Sequence, residues 1–231
     1  MLFLLFIGFA ILGFAVQSKL KSKFKKYSSI PTSSGLSGRE VAELMLHQNE
    51  IYDVKVVSIP GQLTDHYNPT NKTINLSPEV YSECSVISTA IAAHECGHAL
   101  QHAKAYAPLK MRSTLVPIVS ISSRLLNFIF LFGLFGFGYL NLFSMNTFAF
   151  ILIGAQAIIT LFTLITLPVE FDASHRALQW IDNAGIVGSQ EEFDAAADGL
   201  KWAGRTYIVA ALAAVTTLLY YLLSFLGGGD D

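Results

Sequence analysis

Charge is what this 231-residue chain has least of: Asp, Glu, Lys and Arg make up 14% of it, against roughly 25% in an ordinary soluble domain. The shortage is concentrated. Residues 1–18, 125–169 and 206–229 contain none of the four, and the rest of the chain is charged at about 22%, a normal soluble density. An average soluble protein is thereby excluded, and so is a fully embedded channel or transporter. What remains is a membrane protein with a modest polar domain. Cysteine is scarce as well, with only Cys84 and Cys96. No Cys-x-x-Cys metal or redox motif can be drawn from them, and on one helix they would stand about 18 Å apart, beyond disulfide reach. Both fit a reducing compartment. Internal repeats and low-complexity tracts are missing. Excess positive charge is missing too: the net charge is -2, and with no recognisable binding fold this speaks against nucleic acid as a partner.

The neutral stretches set the membrane topology. A bilayer core of about 30 Å needs roughly 20 helical residues. The run 125–169 would be about 67 Å long as one helix, so it must fold back. Ser144-Met145-Asn146-Thr147 is the expected turn. Four crossings follow, at residues 2–16, 125–143, 148–168 and 207–226. A signal peptide would carry basic residues ahead of its apolar core, whereas Lys19, Lys21, Lys23, Lys25 and Lys26 all follow it. The first segment is therefore expected to be a retained anchor with its N-terminus outside. Twelve Lys/Arg lie in 19–124 and three in 176–205, so four crossings put every basic residue on the cytoplasmic face. The lysine cluster reads as contact with anionic lipid.

In the polar part, Thr32-Ser33-Ser34-Gly35 reads as a linker. Ser37-Gly38-Arg39-Glu40 is a capping box that opens a helix with Val41, Leu44, Met45 and Ile51 on one face. Residues 54–59 predict a strand, and 63–67 with 73–76 predict an antiparallel hairpin around the turn cluster Asn68-Pro69-Thr70-Asn71. An uninterrupted helix is expected from Pro78 to Tyr106. A helix over 169–183 should stop near Gly185, and a second capping box at Ser189 to Glu192 should open one running through Trp202 into the last crossing.

Chemistry is concentrated at His94-Glu95-Cys96-Gly97-His98. Four residues apart on a helix, both imidazoles face the same way and can reach one Zn²⁺. Glu95 sits beside them, placed to act on a metal-bound water. A catalytic zinc needs a third protein ligand and an open fourth position. His102 would lie about 12 Å from His94, too far for three imidazoles to converge. Glu170, Asp172 and His175 compete for the place. The small face formed by Ala173, Ser174 and Ala177 permits close helix approach and favours Glu170, and two crossings return that glutamate to the side that holds Glu95.

Five segments, 34–42, 63–69, 76–81, 92–102 and 167–174, resemble the putative neutral zinc metallopeptidase family, the YugP-type bacterial membrane peptidases. More distantly, the order of zinc helix, membrane hairpin and glutamate helix is similar to the HtpX and CAAX-prenyl protease superfamily of zincins. The resemblance implies a mainly α integral membrane protein. Its parts are an anchor (1–18), a small α+β zincin-like cytoplasmic domain (19–124), a transmembrane hairpin (125–169), cytoplasmic helices with the third ligand (170–205) and a last crossing (206–226). It implies one zinc ion on His94, His98 and Glu170 in a gluzincin-like site. In the more distant superfamily an Asp follows the ligand Glu by four residues, where Ser174 stands here.

The expected reaction is hydrolysis of peptide bonds by a zinc-activated water with Glu95 as general base. His66, Tyr67 and His175 are candidates to stabilise the oxyanion. Strand 73–76 is a candidate for pairing with an extended substrate. Polypeptides, membrane proteins among them, are the expected substrates, and the bilayer is the other partner. The competing reading is a catalytically silent membrane scaffold or zinc-binding protein. A transporter is disfavoured because the neutral segments place no ionisable residue at mid-depth.

Overall fold

The structure, a computed structural model, describes residues 2–134 and 145–227. The chain divides into two compact units. One comprises Met1–Gly13, Met111–Leu167 and Tyr207–Asp231, the other Phe14–Lys110 and Pro168–Thr206.

The first unit is helical. Among the described residues, four helices are long and apolar enough to cross a bilayer: α1 (Leu2–Ser28), α5 (Ala107–Leu134), α6 (Met145–Asn183) and α7 (Gln190–Gly227). Their number agrees with the hydropathy; their ends do not. Helix α1 continues through the lysine cluster, since no Gly or Pro interrupts the chain between Val16 and Ser28 and Lys is a good helix former. Helix α5 starts at Ala107, well ahead of the neutral run, and contains Pro117. Of the turn expected at 144–147, Met145, Asn146 and Thr147 belong to α6, and Ser144 lies outside the described residues. Helix α6 continues through Pro168, so its membrane-length stretch and the segment after it form one element. Buried polar groups join α6 to α7. Gln156 Nε2 and Thr160 Oγ1 both donate to the Ala214 carbonyl at 3.1 Å, a form of interhelical bonding suited to an apolar medium.

The polar unit is built on α2 (Gly38–Gln48), a three-stranded sheet, α3 (Pro78–Ser82) and α4 (Val86–Ala103). Both halves of the first capping box form: the Ser37 side chain accepts from the Glu40 N–H, and Glu40 accepts from the Ser37 N–H at 2.8 Å. Val41 and Met45 are fully buried and Ile51 nearly so. A Cβ on Gly38 would fall 2.1 Å from the Val80 carbonyl oxygen, so this glycine lets α2 approach α3. The strands are β1 (Lys55–Ser58), β2 (His66–Asn68) and β3 (Thr73–Leu76), ordered β1-β3-β2. The expected antiparallel hairpin is present as β2 with β3. Its companion β1 adds a parallel pair on the other side of β3. Strand β3 is thus central and has no free edge, which overturns its candidacy as a partner for an extended substrate.

The helix expected over 78–106 is two helices. Around Glu83 to Ser85 the backbone bonds elsewhere: the Thr32 N–H donates to the Cys84 carbonyl at 3.0 Å and the Val86 N–H to the Ile30 carbonyl at 2.9 Å. Ser85 caps the fresh start by accepting from the Ser88 N–H at 3.3 Å. Tertiary partners here replace the intrahelical ones, and the pattern of apolar residues carries no sign of the exchange. Helix α6 stops as expected before Gly185, whose φ of +64° suits glycine. The second capping box forms by half. Ser189 accepts from the Glu192 N–H at 3.2 Å, while the Glu192 carboxylate is drawn to the backbone N–H groups of Gly188 and Ser33.

Candidate metal centre

Helix α4 carries the His-Glu-x-x-His string in its middle, and almost all of that helix is buried. The spacing brings the rings of His94 and His98 together, with centroids 4.8 Å apart and planes at 84°. Opposite them α6 supplies Glu170, 3% exposed. Its Oε2 lies 3.3 Å from His94 Nε2 and 3.6 Å from His98 Nε2. The helices can pack this closely because residue 97 is glycine: a Cβ there would sit 2.6 Å from the Ala173 carbonyl oxygen.

The donor set fits a metal ion. One ligand atom from each of the three residues lies within 4.8 Å of the others, and this is the one such cluster among the described residues. Two nitrogens and one oxygen bonded at about 2.1 Å to a tetrahedral ion would be about 3.4 Å apart, close to both measured separations. Burial disfavours a charged His98, but the Glu170 carboxylate beside it, the nearby Glu95 charge and Gln101 together outweigh burial and raise the imidazole above its ordinary 6.5. The arrangement is one in which a cation is welcome.

Each histidine is held from behind. His94 Nδ1 lies 3.1 Å from Ser174 Oγ. His98 Nδ1 lies 3.0 Å from Gln101 Oε1. Gln101 is fully buried, and nothing in the sequence pattern singles it out except its position three residues after His98. Glu95, 7% exposed, accepts the Tyr67 backbone N–H at 2.8 Å through Oε2. This bond fixes the carboxylate against β2, and only the fold could reveal it.

The other candidates lie elsewhere. Asp172 pairs with Arg176 at 2.6 Å and accepts from Gln101, so it stays out of the cluster. His175 is exposed on α6, pointing away from the buried face that carries Glu170. His66 is exposed, its Nδ1 2.8 Å from the Thr64 carbonyl oxygen. Tyr67 hydroxyl meets His102 Nδ1 at 2.7 Å, which places both side chains at the C-terminal end of α4. His102 is therefore outside the His-His-Glu cluster, as its spacing predicts. Cys84 is exposed, Cys96 is buried, and both are free thiols.

Four membrane-length helices together with a buried His-His-Glu cluster define a class: an integral membrane protein with a candidate metal centre. The family described as "Putative neutral zinc metallopeptidase" matches residues 2–226, and the chain belongs to it. It is also 41% identical over 233 residues, covering all of both chains, to a Bacillus subtilis (strain 168) protein described as "Putative membrane protease YugP". No solved structure matches.

Proposed function

We propose that the protein is a membrane-embedded zinc metalloendopeptidase with a zincin-like polar domain on the cytoplasmic side. The observation that carries the reading is the placement of Glu170 Oε2 at 3.3 and 3.6 Å from the two Nε2 atoms, the edge lengths of a small tetrahedral site. His94, His98 and Glu170 would hold the zinc. Bound there, it supplies Lewis-acid polarisation of a scissile carbonyl and acidification of a water.

Glu95 does the proton work. With one carboxylate oxygen engaged by the Tyr67 N–H, the other is free to take a proton from the attacking water and pass it to the leaving amine. Burial of the centre excludes bulk water and strengthens each electrostatic contact. The cytoplasmic assignment rests on the fifteen Lys/Arg, all of which four crossings place on one face. Polypeptides, including membrane proteins, are the proposed substrates, and His66 and Tyr67 remain the proposed candidates for an oxyanion donor, while His175 is turned away from the face that carries Glu170.

A Glu95→Gln variant tests the reading. It keeps every ligand, so the purified full-length chain should bind one zinc as the native chain does. It should lose cleavage of an unfolded protein by at least about a hundredfold, the scale of general-base catalysis. Equal cleavage by both forms would reject the mechanism. Zinc binding with no native cleavage of unfolded or membrane-inserted polypeptides would favour the silent scaffold.

A further inference from the structure

We infer that Gln101 is a positioning residue that fixes the tautomer of His98 and ties the two metal-binding helices together. The inference rests on the metal-site reading and deepens it.

The buried amide of Gln101 makes three contacts. Oε1 faces His98 Nδ1 at 3.0 Å. Nε2 lies 2.8 Å from the Val169 carbonyl oxygen and 2.8 Å from Asp172 Oδ2. The last two partners can only accept. A carbonyl has no proton to give, and Asp172 is held as a carboxylate by Arg176, whose Nε and Nη2 lie 2.6 and 3.2 Å from its two oxygens. Arg176 is itself kept in place against the Tyr106 ring, 5.9 Å from its centroid. The NH₂ end of the amide must therefore face α6, because a flipped amide would set its oxygen against two other oxygens. The amide oxygen is left for His98. An acceptor at Nδ1 selects the imidazole that carries its proton there, which leaves the Nε2 lone pair available to a metal ion.

The second consequence concerns position. Val169 precedes Glu170, so the same amide that orients one ligand on α4 also grips the turn of α6 that presents another. Ser174 behind His94 cannot do as much: a hydroxyl rotates to suit either tautomer. The discriminating element of the support is the line Arg176, Asp172, Gln101, His98.

The test uses the full-length chain in detergent. Zinc affinity is measured by competition with a chromogenic chelator, and the cobalt-loaded form is read by its visible d–d spectrum. Gln101→Leu keeps the size and removes the polar contacts; its zinc Kd should rise 10- to 100-fold and its cobalt spectrum should shift. A Gln101→Leu form with native zinc Kd and native cobalt spectrum, whatever its melting temperature, overturns the inference. A reading on the native chain stands apart from any folding defect. In the ¹⁵N spectrum of the zinc-loaded, histidine-labelled protein, with His98 assigned by its loss in His98→Gln, Nδ1 should carry the proton. A proton on Nε2 overturns the inference. Failure of the native chain to bind zinc at all would instead reject the metal-site reading.

Discussion

Gly97 offers a test of whether helix separation sets metal affinity. A methyl group there would lie 2.6 Å from the Ala173 carbonyl oxygen and 3.0 Å from its Cα. Both are backbone atoms, which cannot rotate aside. Reaching an ordinary contact requires α4 and α6 to separate by about 0.8 Å, at an overpacking cost of about 1–3 kcal/mol. Alanine in a helix interior returns about 1 kcal/mol relative to glycine, so the net loss of stability should be small, between about 0 and 2 kcal/mol. Metal binding has no such compensation. Ligand distances tolerate about 0.2 Å, and the separation acts directly between His98 on one helix and Glu170 on the other. Gly97→Ala should therefore bind zinc about 10- to 100-fold more weakly while unfolding within a few degrees of the native chain. Chelator competition and thermal melts on the same detergent-solubilised sample give both numbers. Gly154→Ala, on α6 with open space around it, is the control and should change neither. A Gly97→Ala protein with a zinc Kd within threefold of native would refute the argument.

Other outcomes follow from the same contacts. Glu170→Ala should abolish tight zinc binding, measured as metal content after dialysis, because two imidazoles alone leave the ion mostly solvated. In the metal-free chain the raised pKa of His98 means that its proton stabilises the fold below 6.5 and that this contribution is lost as pH rises through the raised value. Zinc must displace the same proton, so its apparent affinity should fall by up to one decade per pH unit below that value, starting above 6.5; a Kd independent of pH between 5 and 8 would contradict this. Ser37→Ala removes the serine half of a complete capping box and should cost about 0.5–2 kcal/mol in denaturant unfolding. Thr89 Oγ1 is buried without a hydrogen-bond partner among the described residues, so Thr89→Val should be neutral or stabilising by about 1 kcal/mol, read as an unchanged or higher midpoint.

What the sequence determined by itself was local or compositional. Two histidines four apart on a helix share a face whatever surrounds them, so His94 and His98 could be paired before any fold was known. Ser37 and Glu40 form their capping box within one turn, and uncharged runs of membrane length become helices because a bilayer leaves the backbone no other partner. Tertiary structure decided what depended on partners far along the chain. Helix 78–106 breaks because Thr32 and Ile30 take over backbone bonds near Cys84 and Val86, and no periodicity records that. Strand β3 lies at the centre of the sheet because β1 joins it in parallel; alternation marks a strand without naming its neighbours. Asp172 and Glu170 are both acids near the start of the same segment, and only packing separates the ion-paired carboxylate from the one facing the histidines. Gln101, an unremarkable amide in the sequence, gains its meaning from the Val169 carbonyl and Asp172, some seventy residues away. Hydrogen bonds inside a dry core are few and directional, and which groups meet there is settled by the packing of α4 against α6.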